Sequence, residues 1–163
     1  VRGLSYPNGS YSREIVRLLP GLGIEYARTV EETGGFGIPE DFLVWKATCH
    51  HKHALMERAR EFSELHKTQY LYMMYVWGHS YEFTADDNWD LIEEFCRFIG
   101  GREDIWYATN IEIVDYSRAA KNLKFTVDGD LVYNPSALSV WISVEEDGKK
   151  KILEIGAGQS VRL

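Results

Sequence analysis

The residues best suited to chemistry begin directly after a continuous apolar segment, residues 70–77. His79 follows that segment, and Glu82 stands three residues later. A histidine at the end of a buried strand is displayed to a ligand and exchanges protons near neutral pH. The same position also suits a histidine that caps the strand by hydrogen-bonding loop backbone. Glu82 either orients the imidazole or is a solvated loop acid, the commoner state of a glutamate.

A second segment holds the densest set of potential metal ligands, Cys49, His50, His51 and His53. Thiolate and imidazole are donors that zinc prefers. Adjacent side chains on an extended segment tend to point apart, and no second paired ligand motif occurs at standard spacing. Two interpretations remain, a self-contained metal site and loop histidines beside a substrate groove, and we favour the second.

Aromatic residues make up 13% of the chain and either fill the core or stack on sugars. Core packing is the default. Tyr6, Trp77 and Tyr81 are the better groove candidates because they lie beside turn-like or strand-end segments. The sequence contains no Gly-x-Gly-x-x-Gly, phosphate-binding loop or serine nucleophile elbow.

The elements that must position these residues alternate between helix and strand. Apolar periodicity predicts helices over residues 10–19, 54–66, 89–99 and 111–123, and strands over residues 24–30, 42–46, 70–77 and 105–108. This alternation predicts an α/β fold for residues 1–123. From residue 124 onward, short apolar segments between Asp-Gly and Gly-rich turns predict an antiparallel β appendage over residues 124–163.

Composition excludes several classes of function. The chain has 163 residues, 45% of them apolar, which is enough for a buried core. Its net charge of -7 repels phosphate backbones, so we expect no nucleic-acid partner. No apolar run approaches the roughly 20 residues that a membrane helix needs. The two cysteines allow at most one disulfide and say little about the compartment.

Taken together, the segment from Ser5 to Tyr11, Trp45 after a short strand, and the segment from Val76 to Phe83 resemble the polysaccharide deacetylase family of carbohydrate esterases. The resemblance covers about the first two thirds of the chain. It implies the later half of a distorted (β/α) barrel. It also implies metal-dependent hydrolysis of acetyl groups on sugars, with the metal held by one Asp and two His.

The resemblance also implies roles for individual residues. Pro7-Asn8-Gly9 is similar to the family's Pro-Tyr-Gly turn, so Asn8 would offer its backbone N–H to the oxyanion. Trp45 would wall the acetyl pocket, and His79 would protonate the departing amine. The second Asp of the family's tryptophan motif is Val44 here, so we expect Glu82 or a member of the segment 49–53 to be the partner of His79.

The family's metal-binding motifs lie upstream of the turn with which this chain begins, so no metal ligand is expected within it. We therefore expect a C-terminal portion, inactive by itself, whose open barrel edge is covered by an N-terminal half or another chain. Two rivals are kept. One is a non-catalytic carbohydrate-binding or assembly module, and the other is a small hydrolase with a metal on Cys49, His50, His51 or His53.

Overall fold

The structure is a computed structural model that describes residues 1–67 and 70–163. The chain divides into two compact units, Val1–Tyr107 and Ala108–Leu163. The predicted boundary between residues 123 and 124 lies inside the second unit.

The first unit is built on short parallel strands. β1 (Gly3–Ser5), β2 (Tyr26–Glu32) and β3 (Trp45–Ala47) form one parallel sheet in that order. β4 (Cys49–His50) pairs in parallel with β5 (Val76–Trp77) in another. Only one residue separates β3 from β4 along the chain. Because parallel strands end at the same edge of a sheet, the loops after them are brought together.

Four helices of the first unit are α1 (Arg13–Leu18), α2 (Leu55–Ser63), α3 (Ser80–Ala85) and α4 (Trp89–Ile99). The bounds predicted for α4 are confirmed, because its apolar residues recur at helical spacing over three turns. The helices predicted over residues 10–19 and 54–66 are present but shorter. A 3-10 turn, Leu19–Leu22, follows α1 because Pro20 supplies no amide to continue the helix.

The strand predicted over residues 70–77 is present only at its end, as β5, and the strand predicted over residues 105–108 is wrong. Residues 70–75 form no strand apart from a single bridge at Tyr72. Their backbone is satisfied elsewhere, since Met73 N donates to Phe36 O and Tyr75 N to Thr48 Oγ1. Residues 105–108 form an irregular loop. In it, the Tyr107 hydroxyl accepts a hydrogen bond from Arg102 N and donates one to Ile99 O at the end of α4.

The strand predicted over residues 42–46 is only partly present. Residues Phe42–Val44 form a 3-10 turn because the Asp41 carboxylate accepts a hydrogen bond from Leu43 N at 2.8 Å. The strand β3 then begins at Trp45, whose indole is fully buried. It contacts the rings of Tyr26, Phe42 and Tyr75 at centroid distances of 4.9 to 5.8 Å. Trp45 is therefore the centre of the aromatic core of this unit.

The second unit confirms the expected antiparallel β region and adds a helix to it. It contains α5 (Asn110–Lys121), β6 (Lys124–Phe125), β7 (Leu131–Tyr133), β8 (Val140–Glu146), β9 (Lys149–Ile155) and β10 (Ser160–Arg162). β10, β7 and β6 form one antiparallel sheet, and β8 and β9 form a hairpin. The hairpin turns at Asp147 and Gly148, both with positive φ, as a two-residue turn requires.

The mixed α/β class is therefore confirmed at the level of helices and small sheets. Within the described residues the strands form four small sheets, none of which closes into a barrel. None of the described helices is long and apolar enough to cross a membrane.

Candidate functional site

The candidate site lies in the first unit, where parallel strands end. β4 ends at His50 and is followed at once by His51, and β5 ends at Trp77 and is followed by Gly78 and His79. The two strands are paired in register, with His50 opposite Trp77. Groups at the carboxyl ends of parallel strands are the ones that α/β proteins display to ligands.

Glu82, in the first turn of α3, joins three histidines through one oxygen. Its Oε2 atom lies 2.9 Å from His51 Nε2, 3.2 Å from His50 Nε2 and 3.3 Å from His79 Nδ1. The same oxygen accepts the backbone N–H of His79 at 2.9 Å. We call His50, His51, His79 and Glu82 the histidine cluster.

Local sequence explains how Glu82 reaches this position. His79 precedes the first residue of α3, and Glu82 three residues later accepts its backbone N–H, which is the capping-box arrangement. Gly78 lies at φ +155°, and a Cβ there would stand 1.9 Å from Cδ2 of His51. Only glycine lets the imidazole of His51 lie against this backbone.

The expectation that the adjacent histidines point apart is wrong. The ring centroids of His50 and His51 lie 4.4 Å apart with a 32° interplanar angle, and both residues are buried. The alternation of side chains holds only within a strand, and β4 ends at His50. His51 already belongs to the turn that leads into α2, so its side chain is free of that alternation.

The cluster is organised around an ionised carboxylate. Desolvation, the largest single effect, raises the pKa of Glu82, but hydrogen bonds from His51 and His79 outweigh it and lower that pKa to about 2. For His50, burial is the main effect and lowers the pKa of the imidazole, although the charge of Glu82 opposes it. Near neutral pH, Glu82 is therefore negatively charged and His50 is neutral.

Hydrogen-bond partners assign the protons on the rings. His50 Nδ1 accepts the Lys52 amide at 3.2 Å, so the neutral ring carries its proton on Nε2, facing Glu82. An ionised carboxylate only accepts, so His51 donates from Nε2 and His79 from Nδ1. The Nδ1 atom of His51 is buried and has no hydrogen-bond partner among the described residues. The side chain of His79 is half exposed, and its Nε2 is the ring nitrogen that Glu82 does not hold.

Charged neighbours surround the cluster. Lys52 Nζ lies 3.5 Å from Glu82 Oε1 and 2.6 Å from Asp86 Oδ2. The hydrogen bond to Asp86 raises the pKa of Lys52. His53 is turned away from Glu82 and pairs with Glu32, its Nδ1 lying 2.8 Å from Oε1. Lys52 is therefore the permanent cation beside Glu82.

Cys49 lies just before His50 and is buried in the core. Burial, followed by the negative charge of Glu32, raises the pKa of its thiol to about 11. The thiol is therefore protonated near neutral pH, the state in which sulfur is a poor nucleophile and metal ligand.

Two of the four predicted substrate-binding aromatics adjoin the cluster. Trp77 meets the ring of His50 edge-on at 4.5 Å, and the Arg28 guanidinium lies 4.6 Å from the Trp77 ring centroid. Tyr81 is 67% exposed and lies 5.1 Å from the ring of His79. Tyr81 is therefore exposed beside the cluster, whereas Trp77 is half-buried against it.

The other two predicted aromatics belong to the core. Trp45 is fully buried, and Tyr6 is only 4% exposed, with its hydroxyl donating to Leu43 O at 2.8 Å. Neither ring offers a face to a sugar in this arrangement. A role for them in forming a pocket therefore stays a prediction.

Asn8 lies in the turn that follows β1. The strand β1 belongs to the sheet with β2 and β3, and not to the sheet of β4 and β5. It has φ 53° and ψ 19°, a left-handed conformation that asparagine tolerates better than most residues. The turn is closed by hydrogen bonds from Gly9 N to Tyr6 O and from Ser10 N to Pro7 O. Asn8 is exposed, and its predicted role at an oxyanion remains a prediction.

Sequence reasoning named His50 and His51 as potential metal ligands but did not join Glu82 to them. One ligand atom from each of His50, His51 and Glu82 lies within 4.8 Å of the other two. Glu82 lies 31 residues from His51 in the chain, so no ligand-spacing motif pointed to this set. The signal that could have joined the two segments was that both follow predicted strands.

Comparison of the chain with protein-family models, curated proteins and solved structures gave no match. The resemblance to polysaccharide deacetylases therefore rests on the short motifs quoted above.

Proposed function

We propose that the chain is part of a metal-dependent carbohydrate deacetylase of the polysaccharide deacetylase type, in which His79 protonates the departing amine. The observation that carries the proposal is the pairing of His79 with Glu82 at the carboxyl ends of parallel strands. A carboxylate that holds one imidazole nitrogen leaves the other nitrogen oriented for proton transfer.

Strand order supports the finer fold in this proposal. β1, β2 and β3 are parallel neighbours, and the chain passes from β3 through Thr48 into β4, which is parallel to β5. Thr48 N donates to Tyr75 O at 2.8 Å, and this hydrogen bond links the residue between β3 and β4 to the segment before β5. Such a series is what a section of a (β/α) barrel would contain. Strands of an N-terminal half or another chain would complete the barrel at the edge of β1.

The reaction is hydrolysis of an acetamide or acetate ester on a sugar. A base takes a proton from water as its oxygen adds to the carbonyl carbon, the bond from that carbon to the sugar nitrogen or oxygen breaks, and acetate leaves. The resemblance assigns that base to an Asp in the family's segment upstream of the turn. The departing nitrogen or oxygen takes its proton from His79 Nε2, and the negative Glu82 stabilises the imidazolium that holds this proton beforehand. Asn8 would donate its backbone N–H to the oxyanion.

A divalent metal, when bound, polarises the carbonyl and lowers the pKa of the attacking water. The resemblance assigns that metal to a His-x-x-x-His pair, and no such pair occurs in these 163 residues. Two imidazoles and one carboxylate, as in His50, His51 and Glu82, are nevertheless a donor set that suits a zinc-class ion. In the proposed hydrolysis, this chain itself supplies His79, Glu82 and Asn8.

The test is acetate release from acetylated sugar oligomers by the native protein, with and without a chelator. We expect His79→Gln to lower kcat by about 100-fold or more with little change in KM, because the variant cannot supply the proton. His66→Gln, which replaces an exposed histidine outside the cluster, is the matched control. Chelator-insensitive release, or a His79→Gln variant as active as the control, contradicts the proposal.

A second candidate is glycan binding by the second unit. Trp141 on β8 is half exposed and stacks with Tyr116 of α5 at a centroid distance of 6.4 Å. An exposed indole such as that of Trp141 suits the face of a sugar ring. Retention on an immobilised glycan that Trp141→Ala abolishes, with no acetate release by the native protein, would favour this function over hydrolysis.

A further inference from the structure

We propose that His50, His51 and Glu82 form a binding site for a zinc-class divalent cation within this chain, with a fourth coordination position open. The site lies at positions other than the family motifs to which the resemblance assigns its metal. The proposal requires no substrate, and it goes beyond the deacetylase function.

The spacing of the donors is close to that of a tetrahedral zinc site. Zinc bonds to nitrogen and oxygen of about 2.0 to 2.2 Å place neighbouring ligand atoms about 3.3 Å apart. The Glu82 Oε2 atom lies 2.9 Å from His51 Nε2 and 3.2 Å from His50 Nε2. All three donors lie within 4.8 Å of one another, so an ion requires only small movements of side chains.

Packing already holds both imidazoles in place. His50 lies edge-on against Trp77, and His51 packs on the ring of Phe83 at a centroid distance of 4.2 Å. The backbone at Gly78 lies close to the Cδ2 atom of the His51 ring. The two histidines are 7% and 3% exposed. Because packing already restricts both side chains, binding of an ion costs little further side-chain conformational entropy.

The donor set also points to the type of ion. Two histidines and one carboxylate with a free fourth position are the ligands of catalytic zinc sites, whereas calcium and magnesium prefer oxygen donors. Binding moves the proton of each ring from Nε2 to Nδ1. His50 then gives up its bond from Lys52 N, and His51 Nδ1 has no acceptor among the described residues. We expect an affinity about 10- to 100-fold below that of sites whose histidines have outer partners.

Lys52 places a positive charge beside Glu82, next to the proposed cation site. Its Nζ lies 3.5 Å from Glu82 Oε1, and a cation at the site would repel it. Asp86 holds the same ammonium group at 2.6 Å and can retain it when the ion enters. Replacement of Lys52 by an uncharged residue should therefore tighten binding.

The experiment is calorimetric titration of the metal-free chain with zinc chloride, together with the visible absorption spectrum of the cobalt-loaded chain. We expect one ion per chain and the intense cobalt bands of a tetrahedral site. His50→Ala and Glu82→Gln should each weaken zinc binding by about 100-fold or more. This loss is larger than the one expected when a ligand loses only a hydrogen-bond partner outside the site. Lys52→Gln should strengthen it.

One further variant serves as a control. His66→Ala should bind zinc as the unaltered chain does, because His66 is exposed and contacts none of the three ligands. Circular dichroism checks the fold of each variant. If the buried His51 cannot be replaced without unfolding, His50→Ala and Glu82→Gln decide the question. Absence of stoichiometric binding, or normal binding by both of these variants, overturns the proposal.

Failure of this site and failure of the proposed function give different results. Zinc binding that follows His50 and Glu82, in a native protein that releases no acetate, supports the site and contradicts the deacetylase function. Acetate release that depends on His79, with no zinc bound by the isolated chain, contradicts the site alone.

Discussion

The Nε2 atom of His51 lies 2.9 Å from the Oε2 atom of Glu82, although 31 residues separate the two in the chain. This contact brings the end of β4 to the first turn of α3. It leaves the second ring nitrogen of His51 buried and without a hydrogen-bond partner among the described residues. Packing around the ring holds it in this position, and Gly78, where an added Cβ would overlap the ring, is part of that packing.

Gly78→Ala is expected to destabilise the first unit by about 2 kcal/mol or more. The added methyl group would overlap the His51 ring, since an ideal Cβ lies 1.9 Å from Cδ2. Urea unfolding followed by circular dichroism measures the change. Gly21→Ala is the control, because a Cβ at Gly21 meets nothing within 4 Å. Equal stability of the two variants would show that the ring moves aside without cost.

The stability of the chain should depend on acid through Glu82. Its pKa is lowered from an ordinary value of 4.5 to about 2 in the folded state, so its contribution is present above pH 4.5 and is lost as the pH falls toward 2. Urea unfolding between pH 2 and pH 7 should show a smaller loss at low pH for Glu82→Gln than for the unaltered chain. Glu40→Gln, at an exposed position, should follow the unaltered chain.

The two cysteines should differ in reactivity. Burial and the charge of Glu32 raise the pKa of the Cys49 thiol to about 11, so only about one molecule in a thousand is a thiolate at pH 8. Cys96 is exposed. Treatment of the native chain with a thiol reagent, followed by peptide mass mapping, should label Cys96 rapidly and Cys49 slowly. Both should react at similar rates in urea, and rapid native labelling of Cys49 would contradict the burial.

Asn134→Ala is expected to destabilise the second unit by about 2 to 4 kcal/mol. The buried side chain of Asn134 donates to Leu138 O at 2.7 Å and to Ile155 O at 2.8 Å, and it accepts from Ser136 N at 3.0 Å. Loss of the amide leaves these backbone groups without their partner. Urea unfolding measures the change, and Asn122→Ala at the exposed end of α5 is the control. A loss no larger than that of the control would mean that water replaces the amide.

Local patterns were sufficient for the regular elements. The apolar residues of α4 repeat at helical spacing, and Asp147-Gly148 marks the hairpin turn, so both features follow from interactions between near neighbours. The same logic failed for residues 70–75. Their apolar side chains satisfy a strand pattern, but their backbone groups find partners at Phe36 and Thr48, which no local pattern contains.

The amino-acid sequence by itself determined which chemical groups are available, among them His79 and Glu82 at the end of one strand and His50 and His51 at the end of another. Their meeting was decided by tertiary structure. The parallel pairing of β4 with β5 sets the two strand ends side by side, and Gly78 admits the His51 ring. A contact between residues 31 positions apart has no local signature, because it exists only when both strands pair in this register.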